Sequence, residues 1–369
     1  MDVDCSGSRR TIRRTLIKCC EQLLDIVLAM TYGGSQFLRR LWGLNGRELP
    51  QNDPKENGDG WMFINQHNQR HNSNLSAQKE VLESRSSGAD GDFLGIEGKS
   101  ETRPLELVSV VCGFAKDSII NRRGKFGEDA WFMSSNSEAY TMGVADGVGG
   151  WRNYGVDPGK FSMFLMRSCE RLSCLKDFEP ERPHLLLERA YCDLLKQESP
   201  IVGSCTACVL TFNRRNSTLY TANIGDSGFL VVRSGSVVCR SQEQQHCFNT
   251  PYQLASPPPG HDVNVISDGP DTVDRIQFPM ELGDVILLAT DGLYDNVPES
   301  FLIEVLTEMS GISDPVRLQM FANALAFMAR ILSLNPKHDS PFSQNARKMN
   351  IELSGGKPDD ITVLLATIV

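Results

Sequence analysis

From Leu105 onward the chain is written in short apolar runs separated by Gly, Asp, Asn and Pro. Leu107 to Phe114, Trp131 to Met133, Ala139 to Ala145, Ser204 to Asn213, Ser217 to Ile224, Gly228 to Ser234, Ser236 to Arg240, Asp284 to Ala289 and Ile361 to Ile368 are strand-length and rich in β-branched or aromatic residues, which predicts β-strands. Lys160 to Leu172 with His184 to Glu198, and Glu299 to Met309 with Pro315 to Leu332, keep a helical period instead and predict two helix pairs. Pro315 suits a first helical turn, with Asp314 as its cap. Helices in pairs between groups of strands, rather than one after each strand, imply an α+β layered sandwich with a mainly antiparallel sheet set.

The text before Leu105 is different. Residues 1–49 open with Arg9, Arg10, Arg13, Arg14 and Lys18, while Leu16, Cys20, Leu23, Val27 and Leu28 recur at helical spacing, so a basic amphipathic helix is expected. Such a segment serves either mitochondrial import, against which Asp2, Asp4, Glu21 and Asp25 count, or docking and membrane-surface contact. Residues 50–103 are rich in Asn, Gln, Ser and Gly and cannot bury enough apolar area to offset their ordering entropy, so a disordered linker is expected there. His67 and His71, four apart, lack a third metal ligand and read as solvated. The folded domain is expected over 104–369. The longest apolar candidate for a membrane span, Leu23 to Met30, carries Asp25 and falls well short of the ~20 residues required.

Lys and Arg number 37 against 46 for Asp and Glu, a net charge of −9 over 369 residues, which argues against a whole-chain fit to nucleic acid. The 11 Cys are odd in number and irregular in spacing, so a reducing compartment is the default. Cys205 and Cys208 lie three apart on one predicted strand, where side chains face opposite ways, and read as core rather than as a redox pair.

The informative chemistry is acidic. Asp146-Gly147, Asp291-Gly292 and Asp226 each close an apolar run, Asp359-Asp360 precedes Ile361 to Ile368, and Glu128-Asp129 precedes an aromatic run. A lone Asp-Gly at a strand end is ordinarily a turn. Five acidic clusters at strand ends are a different matter, because converging carboxylates repel one another unless a cation holds them. Oxygen ligands select a hard divalent metal, and two such ions can activate water against a phosphoryl group, so phosphoester hydrolysis is the natural chemistry.

In order, Gly127-Glu128-Asp129-Ala130, Val144-Ala145-Asp146-Gly147-Val148-Gly149-Gly150, Gly203-Ser204-Cys205-Thr206-Ala207, Ala222-Asn223-Ile224-Gly225-Asp226-Ser227, Leu288-Ala289-Thr290-Asp291-Gly292-Leu293-Tyr294-Asp295-Asn296 and Lys357-Pro358-Asp359-Asp360-Ile361-Thr362-Val363 resemble the motifs of metal-dependent type 2C protein serine/threonine phosphatases. The likeness spans about Leu105 to Val369. Asp146-Gly-Val-Gly-Gly-Trp151-Arg152 and Gln244 to Leu254 resemble a mitochondrial branch of that family, which favours import as the role of residues 1–49. The resemblance implies a four-layer α-β-β-α sandwich of two mainly antiparallel sheets flanked by helix pairs, acting on phosphoserine and phosphothreonine of protein substrates. It also implies two Mn²⁺ or Mg²⁺ ions: Asp146 would bridge them, the Gly147 carbonyl would join one, and Asp291 and Asp359 would complete the other. Glu128 and Asp129 would order the first shell or its water, and Asp226 would help hold a weaker third ion. A monomer is expected, with no nucleic-acid partner.

Two positions depart from the family. Val148 stands where many members have a His general acid, leaving bound water or His246 to serve instead. Gly124 stands where an Arg commonly grips phosphate, leaving Arg122, Arg123 or Lys125. These departures motivate the competing reading, a catalytically weak phosphatase-fold scaffold that binds phosphoproteins; a nucleotide phosphodiesterase is disfavoured by the acidic balance.

Overall fold

The structure is a computed structural model and describes residues 104–117, 125–259 and 265–369. The amphipathic segment 1–49, the linker 50–103, the paired His67 and His71, and Arg122, Arg123 and Gly124 lie outside the described residues. In chain order the strands and helices are β1 (Leu107–Phe114), β2 (Ala130–Ser135), β3 (Ala139–Ala145), α1 (Gly159–Ser173), α2 (Pro183–Leu195), β4 (Gly203–Cys205), β5 (Ala207–Asn213), β6 (Thr218–Ile224), β7 (Gly228–Arg233), β8 (Ser236–Arg240), β9 (Gln245–Cys247), β10 (Thr250–Pro251), β11 (Leu254–Ser256), β12 (Gln277–Pro279), β13 (Val285–Ala289), α3 (Asp291–Tyr294), α4 (Glu299–Thr307), α5 (Pro315–Ser333), α6 (Pro341–Lys348) and β14 (Ile361–Ile368).

Two five-stranded sheets carry the fold, in the orders β1-β14-β13-β7-β8 and β12-β6-β5-β3-β2. Every pairing in them is antiparallel. Their inner faces meet through Met142, Leu210 and Phe212 of one sheet and Val231, Ile286 and Leu364 of the other. On the far side of the second sheet, α1 and α2 bury Leu165, Cys169 and Leu187 against Val209 and Ala222. On the far side of the first, α4 and α5 bury Leu306, Leu318 and Ala322 against Val110, Leu287 and Leu365. The four-layer sandwich expected from the resemblance is therefore present. Because both faces of the central strands are covered, β5, β6 and β14 are buried at every position, which is why their apolar residues fall on both faces and show no strict alternation.

Local chemistry sets the boundaries. Asp314 accepts the Val316 N–H at 3.0 Å and caps α5 ahead of Pro315. The single run expected over Ser204 to Asn213 is split at Thr206, because Thr206 N–H donates to the Asp146 carbonyl at 3.0 Å while β4 pairs with β11 and β5 with β3. Cys205 and Cys208 remain on opposite faces, one under the helices and one between the sheets, both buried and unlinked. The β9–β10 ribbon and α6 were not among the predicted elements.

Candidate active site

β3 delivers Asp146 at its end, and the backbone there is pinned on both sides. Asp146 N–H donates to Thr206 Oγ1 at 3.2 Å, and Thr206 Oγ1 lies 2.8 Å from Ser227 Oγ. Gly147 is glycine because a Cβ would sit 2.9 Å from the Glu128 carbonyl oxygen and 3.0 Å from that of Pro158. β13 delivers Thr290 and then Asp291 at the start of α3, and β6 delivers Asp226 beyond Gly225. Asp129 lies immediately before β2; its Oδ2 accepts from Thr290 Oγ1 at 2.8 Å and from Thr362 Oγ1 at 2.7 Å.

Asp360 ties these stretches together just before β14. Its Oδ1 accepts Lys116 N–H at 2.6 Å and its Oδ2 accepts Glu128 N–H at 2.7 Å. The fit leaves no room around it: at Gly127, with φ +75°, a Cβ would lie 2.1 Å from Asp360 Oδ1, and at Gly292 it would lie 1.9 Å from the Asp360 carbonyl oxygen.

The result is a field of carboxylates. Burial first, then the charges of Asp291, Asp129, Asp359 and Asp226, pushes the Asp146 carboxyl well above the usual range. Asp129 and Asp226 are raised in the same way, burial again foremost. Burial and the Asp291 charge raise Asp359 to about 6, although Lys357 and Lys116 oppose them. Asp295 is raised to about 7, chiefly by burial. Asp291 goes the other way: burial alone would raise it, but the Lys357 ammonium and hydrogen bonds from Lys357 and Asp146 hold it below the ordinary value. Lys357 Nζ lies 2.5 Å from Asp291 Oδ2, 2.7 Å from Asp295 Oδ2 and 3.4 Å from Asp359 Oδ2.

The structure thus brings Asp146, Asp291, Asp359, Asp226 and Asp129 within mutual electrostatic reach. Glu128 is buried as well, but its charge is taken up by two cations. Its carboxylate is bound by Arg152 Nε and, at 3.1 Å, by Lys116 Nζ, which also lies 3.6 Å from Asp359. The His246 ring pairs with Asp268 at 3.0 Å and stacks on Tyr252 at 4.2 Å, and it lines the same cavity as Asp295. Trp151 is core, its Nε1 donating to Ser204 Oγ at 2.7 Å, and Lys125 is exposed.

The donor set suits a hard cation. Asp129 Oδ1, Asp226 Oδ1 and Asp291 Oδ1 are buried oxygens with no hydrogen-bond partner, an expensive arrangement unless a cation completes it. No three His, Cys, Asp or Glu side chains are already drawn into a closed ligand shell among the described residues. Lysine ammonium groups stand among the carboxylates instead. Sequence reasoning missed four contributors: Asp295, Lys357, Lys116 and the anchoring role of Asp360. Asp295 carried a usable signal, since it lies four residues beyond Asp291 and therefore on the same helical face.

Residues 120–328 match the family described as Protein phosphatase 2C. The human protein phosphatase PTC7 homolog is 47% identical over 265 residues, covering 71% of this chain and 87% of that protein. The Danio rerio PTC7 homolog is 45% identical over 278 residues, covering 74% and 93% respectively. The X-ray structure of the photosystem II phosphatase PBCP superposes with a TM-score of 0.60 at 28% identity, covering 72% of this chain and 99% of that one.

Proposed function

Because the chain belongs to the protein phosphatase 2C family of metal-dependent serine/threonine protein phosphatases, we propose that Asp146, Asp291, Asp359 and the Gly147 carbonyl hold a pair of Mn²⁺ or Mg²⁺ ions. Asp226, beside Asp295, would help hold a third and weaker ion, and the partnerless Oδ1 of Asp129 would be available to the ions or their water. The observation that carries this reading is the meeting of carboxylates from β3, β6, β13 and β14 in one field, with three of their buried oxygens partnerless. Bound ions of this kind supply an activated water nucleophile and Lewis-acid assistance to the phosphoryl oxygens.

The chain's own residues do the positioning. Thr206 and Ser227 fix the backbone that presents Asp146. Asp360 holds the backbones of Lys116 and Glu128 in register, so that Lys116 and Arg152 place positive charge at the rim, where an incoming phosphate is expected. With Val148 in place of a proton donor, protonation of the leaving alkoxide falls to water or to His246, whose ring Asp268 orients at 3.0 Å in a cavity shared with Asp295.

Turnover of a phosphoserine or phosphothreonine peptide, with and without Mn²⁺, tests the reading alongside Asp146→Asn. Activity should require the metal and fall by orders of magnitude in the variant; full turnover by the variant, or in excess chelator, would refute it. Tight phosphopeptide binding with no metal-stimulated turnover would favour the scaffold. The basic amphipathic pattern of residues 1–49 supports a mitochondrial address, and hence mitochondrial phosphoproteins as substrates. Imaging fluorescent fusions with and without residues 1–49 checks it: mitochondrial signal that survives the deletion removes the segment as the address.

A further inference from the structure

On the outer face of the second sheet, α1 and α2 enclose a groove of about 740 Å³ that none of the chemistry above uses. Lys160, Arg167, Arg171 and Lys196 line it against a single acid, Asp193, which Arg171 already holds at 2.6 Å. Met163, Phe164 and Ile201 line it too, each half-buried. In a chain of net charge −9 this is a locally positive, apolar trough.

The same chain carries a stretch of the opposite character. Asp90-Gly91-Asp92-Phe93-Leu94-Gly95-Ile96-Glu97 has three acids, no base and three large apolar side chains. We propose that residues 90–97 dock in the α1–α2 groove of their own chain, with Phe93, Leu94 and Ile96 on its apolar floor and the carboxylates among its cations. Charge complementarity selects this segment over residues 1–49, whose arginines the groove repels. A concave trough also fits an extended chain better than it fits a membrane surface.

The entry point of the chain allows the docking. Glu106 accepts Arg214 Nη1 at 3.1 Å, Arg214 Nη2 donates to Ser135 Oγ at 3.1 Å, and Ser134 Oγ lies 2.6 Å from Ser173 Oγ at the C-terminal end of α1. The chain therefore enters the domain at the same end of the sandwich as the C-terminus of α1, across edge strand β2 from it. The eight residues between Glu97 and Glu106 span up to about 27 Å when extended, against about 22 Å for the length of α1. The docked strap would also load a helix that braces the site, since Ser162 Oγ of α1 donates to the Glu128 carbonyl at 2.5 Å.

Zero-length carbodiimide crosslinking of the full chain, read by mass spectrometry, tests this directly. Crosslinks are expected from Asp90, Asp92 or Glu97 to Lys160 or Lys196, with a yield independent of protein concentration. Arg167→Glu with Arg171→Glu leaves every crosslinking group in place and reverses the field; the yield should fall about tenfold, the equivalent of about 1.4 kcal/mol. Adding Asp90→Arg and Asp92→Arg to that variant should restore the Glu97 crosslink. Absent crosslinks, a yield indifferent to the arginine reversal, or one that grows with concentration would each overturn the proposal. So would protection of Lys160 and Lys196 by phosphatidylserine vesicles in place of the crosslinks. Thermal unfolding of each variant establishes that exposed Arg167 and Arg171 were changed without loss of the fold.

Discussion

Gly127→Ala is the substitution for which the structure fixes the largest cost at the smallest chemical change. The residue has φ +75°, so any side chain there costs about 1–2 kcal/mol. The new Cβ would lie 2.1 Å from Asp360 Oδ1 and 2.3 Å from Cγ, less than any real contact. Asp360 has no slack to yield, because its two oxygens accept Lys116 N–H at 2.6 Å and Glu128 N–H at 2.7 Å. Breaking even one such charge-assisted bond costs about 1.5–3 kcal/mol. The total is about 3–5 kcal/mol, which should lower Tm by roughly 10 °C in a domain of this size. Urea unfolding followed by circular dichroism measures it, with Asp360→Ala and the double variant completing a cycle. With the carboxylate gone, Gly127→Ala loses its clash, so the double variant should be less destabilised than the sum of the singles by at least about 1 kcal/mol. A single-variant cost within about 0.5 kcal/mol of the parent, or strict additivity, would refute this account of the contact.

Two further outcomes follow from the electrostatics. Asp359 and Asp295 are raised in the folded chain to about 6 and about 7, above the ~4 of an unfolded carboxylate, so the stability they contribute is present below that unfolded value and is lost as pH rises through the folded ones. In chelator the urea midpoint should fall across that window and recover with Mn²⁺ at pH 7, with a shallower fall in Asp295→Asn; an unchanged slope in that variant would contradict the assignment. Lys357→Met removes the ammonium shared by Asp291, Asp295 and Asp359 and should cost about 3 kcal/mol in chelator but much less in saturating Mn²⁺. An equal loss in both conditions would mean that Lys357 acts away from the cluster.

The layers of the fold were legible because both faces of β5, β6 and β14 are covered, which leaves a strong apolar signature, and because α1, α2, α4 and α5 keep one buried stripe each. Asp146, Asp226 and Asp291 were legible because turn residues beside a strand end expose the acid that sits there. What escaped was whatever depends on partners distant in the chain. A lysine before two aspartates reads as a solvated loop, yet Lys357 is drawn inward by Asp291, 66 residues away. Asp360 resembles its neighbour Asp359 in every local respect, and only the fold assigns it to Lys116 and Glu128. The split at Thr206 likewise needs the Asp146 carbonyl on the far side of a turn. α6 was short and polar, although Ser340-Pro341, a capping hydroxyl before a first-turn proline, was a signal to find it.

β14 lies between β1 and β13, so its eight residues zip together strands laid down some two hundred and fifty positions earlier and some seventy positions earlier. A nascent polypeptide that has not yet delivered Ile361–Ile368 therefore lacks an interior strand of one sheet, without which β1 has no partner in it. Ribosomal products that stop early would emerge as clients for chaperones and proteases, never as half-competent hydrolases acting without control.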